Sequence, residues 1–142
     1  MFNDLAQGEF LAHSAGSHPA GKVNPHALSL LRDKGYSLVG LRSKNWDEFA
    51  QKGAPELDFV ITVCDNAAGE VCPIWPGGPM TAHWGIADPA AVTGSDGEIR
   101  EAFQLAFDRL TRRIRAFLDL PLDDMNPREI QSSLNQIGEI GD

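Results

Sequence analysis

The sequence has no run of 18 consecutive apolar residues, so no membrane-spanning helix is expected. Its first residues, Met1-Phe2-Asn3-Asp4, carry neither the basic cluster nor the apolar core of a signal peptide, so the expected location is the cytoplasm. Basic residues are scarce, with 12 Lys and Arg against 20 Asp and Glu and a net charge of −8. A nucleic-acid binder needs clustered cations, so that class is set aside. The acidic balance serves solubility, and it leaves room for a small anionic substrate only where one loop supplies local donors. Cysteine is scarce too: two residues in 142 are no disulfide framework. His13, His18, His26 and His83 include no H-x-x-x-H pair, and the cysteines lack zinc-knuckle spacing, so no metal site is expected. There is no internal repeat and no low-complexity segment.

What is present has the length of one domain and alternates short apolar runs with amphipathic helical patterns, which points to α/β architecture. Phe10 to His13 reads as a short strand running into Ser14-Ala15-Gly16-Ser17. Asn24-Pro25 starts a helix, with Asn as N-cap and Pro at the first helical position, and Gly35 ends it. Ser37 to Leu41 reads as a brief extended piece. Ser43 is expected to cap a short helix through Ala50, with Trp46 and Phe49 on its inner face. Leu57 to Val63 is the clearest strand; it is apolar on both faces and β-branched, as in a central parallel strand. A Gly- and Pro-rich loop from Asp65 to Met80 separates it from a second strand, Thr81 to Ile86. Ser95 to Leu120 is a long helix, because Ile99, Phe103, Phe107, Leu110, Ile114 and Phe117 form one apolar stripe that Pro121 stops. Asn126-Pro127 with Glu129 starts a last helix that ends near Gly138.

In an open parallel sheet, ligands bind beyond the C-terminal strand ends, where Cys64, Asp88 and Ser14 all fall. Cys64 and Cys72 are separated by seven residues, including Gly69. That spacing can bring two Cα atoms within the roughly 4.4–6.8 Å of a disulfide. Closing so short a loop removes roughly 2–3 kcal/mol of chain entropy at most. The pair is either two unrelated buried thiols or a reducible redox couple. Asp88-Pro89 is either an ordinary Asx turn or a general acid on a stiff turn. Ser14 is either part of a tight turn or a hydrogen-bonding support for a neighbouring loop. Trp46, Trp75 and Trp84 read as packing residues.

Several segments together resemble arsenate reductases of the low-molecular-weight tyrosine-phosphatase fold. They are Val63-Cys64-Asp65-Asn66-Ala67-Ala68, Cys72-Pro73-Ile74-Trp75-Pro76, His83-Trp84-Gly85, Asp88-Pro89-Ala90 and Ser14-Ala15-Gly16-Ser17-His18-Pro19. Asn24 to Leu28 and Leu41-Arg42-Ser43-Lys44 also fit, so the resemblance runs from about Phe10 to Leu120. It implies a three-layer α/β/α fold with a mainly parallel four-stranded sheet. The domain would span residues 1–121, with 122–142 as a C-terminal helical tail. It also implies reduction of arsenate to arsenite by a thiol cascade in arsenic detoxification. The thiolate of a Cys-x5-Arg loop attacks arsenate, and the aspartate matching Asp88 protonates the leaving oxygen. The thiol matching Cys64 then attacks the arsenylated sulfur and releases arsenite, and the thiol matching Cys72 attacks Cys64 in turn, leaving a Cys64–Cys72 disulfide. Ser14 would support the oxyanion loop. No tightly bound cofactor is implied; a thioredoxin or glutaredoxin system would act as external reductant, and a monomer is the expectation. A tyrosine or small-molecule phosphatase and a non-catalytic remnant of the fold are the alternatives.

One departure is large. No Cys-x5-Arg occurs in these 142 residues, and both cysteines match the redox pair. Met1 to Gln7 resembles the back half of the family's first helix. The expectation is therefore a truncated chain, lacking on the order of 20–25 residues that hold the central first strand and the nucleophile loop. Without that strand, the strands at Phe10 and Phe59 would leave a slot roughly 9–10 Å wide.

Overall fold

The computed structural model describes residues 1–64 and 75–141. Helix α1 spans Phe2–Ala6 and ends on Gln7 in the left-handed region, with φ 50°. Helix α2 spans Pro25–Asp33, and the Asn24 side chain accepts from His26 N at 2.8 Å. Strand β1 is Phe59–Thr62 and strand β2 is Met80–His83; they pair in parallel, Phe59 with Met80 through Thr62 with His83. Helix α3 is Asp96–Leu118, capped by Ser95, whose hydroxyl accepts from Glu98 N. Helix α4 is Pro127–Gly138, opened by a capping box in which Asn126 and Glu129 satisfy each other's backbone N–H. The result is a set of helices around a small two-stranded parallel sheet among the described residues.

The core forms on one face of that sheet. Trp84, Ile114, Phe117, Leu134 and Ile137 are its buried centre, and Phe59, Ile61, Met80 and Ala82 pack against it. Strand alternation therefore turns Val60, Thr62, Thr81 and His83 to the opposite face. Phe117 is the hub: Phe10 lies 5.2 Å from its ring centroid, Phe59 5.3 Å and Phe2 5.8 Å. Residues 122–141 pack into this same core. Leu134 is fully buried, and its carbonyl accepts from Trp84 Nε1 at 2.9 Å. Gly138 sits so close to β2 that a Cβ there would fall 2.5 Å from the His83 carbonyl oxygen.

Arg113 binds the two ends of this packing together. It is 6% exposed. Its Nη1 donates to the Trp84 and Gly85 carbonyls at 2.7 and 3.1 Å, and its Nε and Nη2 donate to Ile140 O. Among the described residues no carboxylate joins it. Burial, and then the charge of Arg109, lower its pKa from the ordinary arginine value. A guanidinium fork matched to backbone carbonyls holds the exit of β2 against the C-terminal segment.

Two local expectations change. Phe10 to His13 joins no ladder among the described residues, because a strand exists only with a partner edge. A side chain stands in for that partner: Asn3 Oδ1 accepts from Ala12 N at 2.6 Å and Asn3 Nδ2 donates to Ala12 O at 3.1 Å. The turn after it is tied down by a parallel bridge between Gly16 and Asn45. The short helix expected from Ser43 is a 3₁₀ turn over Trp46–Phe49. Its cap is Asn45, whose carboxamide accepts from Asp47 N, while the Ser43 hydroxyl accepts from Gly21 N instead. Ser37 to Leu41 forms no strand among the described residues.

The two edges of the sheet differ. The free edge of β2 is covered by α4, where Gln131 Nε2 donates to Thr81 O at 2.9 Å. On β1, Asp58 O and Thr62 O accept from Met80 N and Trp84 N. The alternation of a parallel ladder then turns the N–H and C=O of Phe59 and Ile61 away from β2. No described residue pairs with them.

Candidate active site at the C-terminal end of the sheet

Cys64 stands at a bend two residues past the end of β1 and is half-buried. Two ladder bonds hold the backbone just ahead of it, Trp84 N to Thr62 O at 2.8 Å and Ile86 N to Val63 O at 2.8 Å. Cys64 thus lies beyond the C-terminal end of the sheet, where open parallel sheets present ligands. Cys72 lies outside the described residues. Trp75, the first described residue after that gap, is buried and meets Trp46 edge-on at 6.1 Å.

Asp88 sits beyond β2 at the same end, is exposed, and caps a 3₁₀ turn over Pro89–Ala91. Its Oδ1 accepts from Ala90 N at 2.9 Å, the geometry of an Asx turn. That bond occupies one carboxylate oxygen, and no described residue bonds to the other. Ser14 is exposed at the end of the extended segment and has no hydrogen-bond partner among the described residues. The structure thus sets Cys64 and Asp88 on the exits of adjacent strands.

The sequence reading missed one pair here. Thr62 and His83 face each other across the ladder, and Thr62 Oγ1 lies 2.7 Å from His83 Nδ1. In the sequence His83 stands among the histidines that fail as a metal set and in the His83-Trp84-Gly85 segment, with nothing that links it to Thr62. The signal was the period-two alternation of Thr81 to Ile86, which sends His83 out while Ala82 and Trp84 point into the core.

Among the described residues, no group of three or more His, Cys, Asp or Glu is arranged to hold a metal ion. No described helix is long and apolar enough to cross a membrane. A cavity of about 290 Å³ lies elsewhere, between α2 and α3, lined by His26, Asp33, Arg100 and Glu101 among others. It includes none of Cys64, Asp88 or Ser14.

The chain belongs to the low molecular weight phosphotyrosine protein phosphatase family, whose pattern matches residues 1–132. It is 31% identical over 111 residues to a Staphylococcus saprophyticus protein named arsenate reductase 2, covering 78% of this chain and 76% of that one. It is 30% identical over 102 residues to the arsenate reductase of Staphylococcus xylosus, covering 71% of this chain and 74% of that one. Family and relatives together point to an enzyme, an arsenate reductase or a phosphatase, and the relatives' names suggest the reductase.

Proposed function

We propose that this chain carries the thiol-relay half of an arsenate reductase. The observation that supports this most is the position of Cys64, on the exit of a parallel strand in a chain whose relatives are named arsenate reductases. In this reading a thiolate on a Cys-x5-Arg loop captures arsenate, with Asp88 protonating the departing oxygen. Cys64 then attacks that sulfur. The sulfur–arsenic bond breaks, its electron pair stays on arsenic, and arsenite leaves. Cys72 attacks Cys64 in turn, which frees the first thiolate and leaves a Cys64–Cys72 disulfide. A thioredoxin-like or glutaredoxin-like dithiol in the cytoplasm reduces it by exchange.

No Cys-x5-Arg loop occurs among these 142 residues. We place it on a strand that fills the open edge of β1, completing a four-stranded sheet with the segment at Phe10. Ser14, at the end of that segment, would then support the oxyanion loop. Alone, the 142-residue chain is expected to release no arsenite from arsenate above a no-enzyme control; measurable release refutes this assignment.

The relay itself is tested on the chain as it is. Mild oxidation followed by thioredoxin, its reductase and NADPH should consume about one NADPH per chain, and Cys64→Ser or Cys72→Ser should each abolish that consumption. Full consumption by either variant rules the relay out. A phosphatase is the second reading, favoured by the family description; it needs no redox pair, so an oxidised chain that thioredoxin does not reduce supports it.

A further inference from the structure

The cavity between α2 and α3 has no part in the scheme above, and none of Cys64, Asp88 or Ser14 lines it. His26, Leu30 and Asp33 line it from α2, where steps of four and three keep them on one face. Arg100, Glu101 and Phe103 line it from α3. Its floor is apolar: Phe103 is buried, Leu30 is half-buried, and the His26 ring stacks on Phe103 with centroids 5.8 Å apart. Its rim is charged and unevenly matched. Arg100 Nε lies 3.1 Å from Asp96 Oδ2, and His26 Nδ1 lies 3.9 Å from Asp96 Oδ1. Asp33 and Glu101 are exposed, and their carboxylates have no hydrogen-bond or ion-pair partner among the described residues. Lys34, next to Asp33 in the chain, is held over the Phe107 ring instead. Even with His26 protonated, the carboxylates of Asp33, Asp96 and Glu101 outnumber the cations around this floor.

We propose that this cavity binds a small organic ammonium ion with an apolar body, a primary amine carrying one ring or a short alkyl chain. The ammonium donates to the carboxylates of Asp33 and Glu101, and the body lies on Leu30 and Phe103. The volume of about 290 Å³ sets the size. It falls at the lower end of the roughly 300–1,000 Å³ of ligand cavities, which suits one ring and not a nucleotide. An anion of the same shape would meet two unmatched acids and is disfavoured. Asp33 stands on α2 and Glu101 on α3, so the bound ion ties the two helices together. The site stands independently of the role assigned to Cys64.

The test is an NMR titration of the 142-residue chain with benzylammonium, and with benzyl alcohol and benzoate as neutral and anionic matches. Benzylammonium should shift the amides of residues 26–33 and 100–104, with a Kd on the order of 1 mM. Benzyl alcohol should bind more weakly, and benzoate should leave those amides unmoved. Asp33→Asn or Glu101→Gln should each weaken benzylammonium about threefold, and the two together about tenfold. Both replace exposed side chains, and either alone carries the test if the other misfolds by circular dichroism. Glu9→Gln, at an exposed acid outside the cavity, should change nothing, which separates a site from general attraction to an acidic chain. Absence of saturable shifts at residues 26–33 and 100–104 overturns the proposal. So does benzoate binding as tightly as benzylammonium, or a benzylammonium Kd that the variants at Asp33 and Glu101 leave unchanged.

Discussion

Residues 75–141 bury Trp75, Trp84, Phe103, Arg113, Ile114, Phe117, Leu134 and Ile137, whereas residues 1–64 bury Ala6 alone. The sheet shows the same division. The edge of β2 is covered by α4 through Gln131, while the edge of β1 turns the backbone groups of Phe59 and Ile61 to no described partner. The second half of the chain thus packs upon itself. The first half is joined to it by the β1–β2 ladder, by α1 and α2 on α3, and by aromatic contacts such as Phe10 and Phe59 on Phe117. Cys64 stands at the boundary, on the exit of the strand that is paired on one side.

The comparison can be broken by substitution, and the largest effect is expected at its hub. Phe117→Ala removes the ring that Phe2, Phe10, Phe59 and Trp84 share. It should cost about 3–5 kcal/mol in urea unfolding. Arg113→Met should cost about 2–3 kcal/mol, because the Trp84, Gly85 and Ile140 carbonyls lose a charged donor while buried. A loss below about 0.5 kcal/mol would mean those carbonyls find water without penalty. Asn3→Ala should cost about 1 kcal/mol and speed exchange of the Ala12 amide, since one carboxamide makes both bonds to that residue. Leu11→Ala, at a side chain 76% exposed, should stay within about 0.5 kcal/mol of the parent. A larger loss at Leu11 than at Asn3 would show that the first half has a core of its own.

Features set by neighbouring residues were legible in the sequence. Asn24-Pro25, Ser95 and the Asn126–Glu129 box mark helix starts through side-chain bonds two or three residues away, and all three fall where expected. The stripe from Phe103 to Phe117 works the same way, because helical period alone decides which face is buried. Features that depend on distant partners were hidden. Arg113 is the clearest: its acceptors lie 27 to 29 positions away, and nothing local separates it from Arg112 or Arg115. Phe10 to His13 has strand composition, yet it forms no ladder among the described residues, since composition cannot supply the neighbouring edge. At the candidate site, Cys64 and Asp88 were marked by their places at strand ends. The Thr62–His83 contact required the register of a ladder whose strands stand 21 residues apart.

The central claim is that Cys64 follows, two residues on, a strand sealed on one edge and, among the described residues, open on the other. Residue-resolved hydrogen exchange across β1 tests it most directly. Val60 and Thr62, whose amides face β2, should exchange slowly, and Phe59 and Ile61 should exchange much faster within the same strand. Equal protection at all four amides would show that the edge of β1 is already filled, and would contradict the claim.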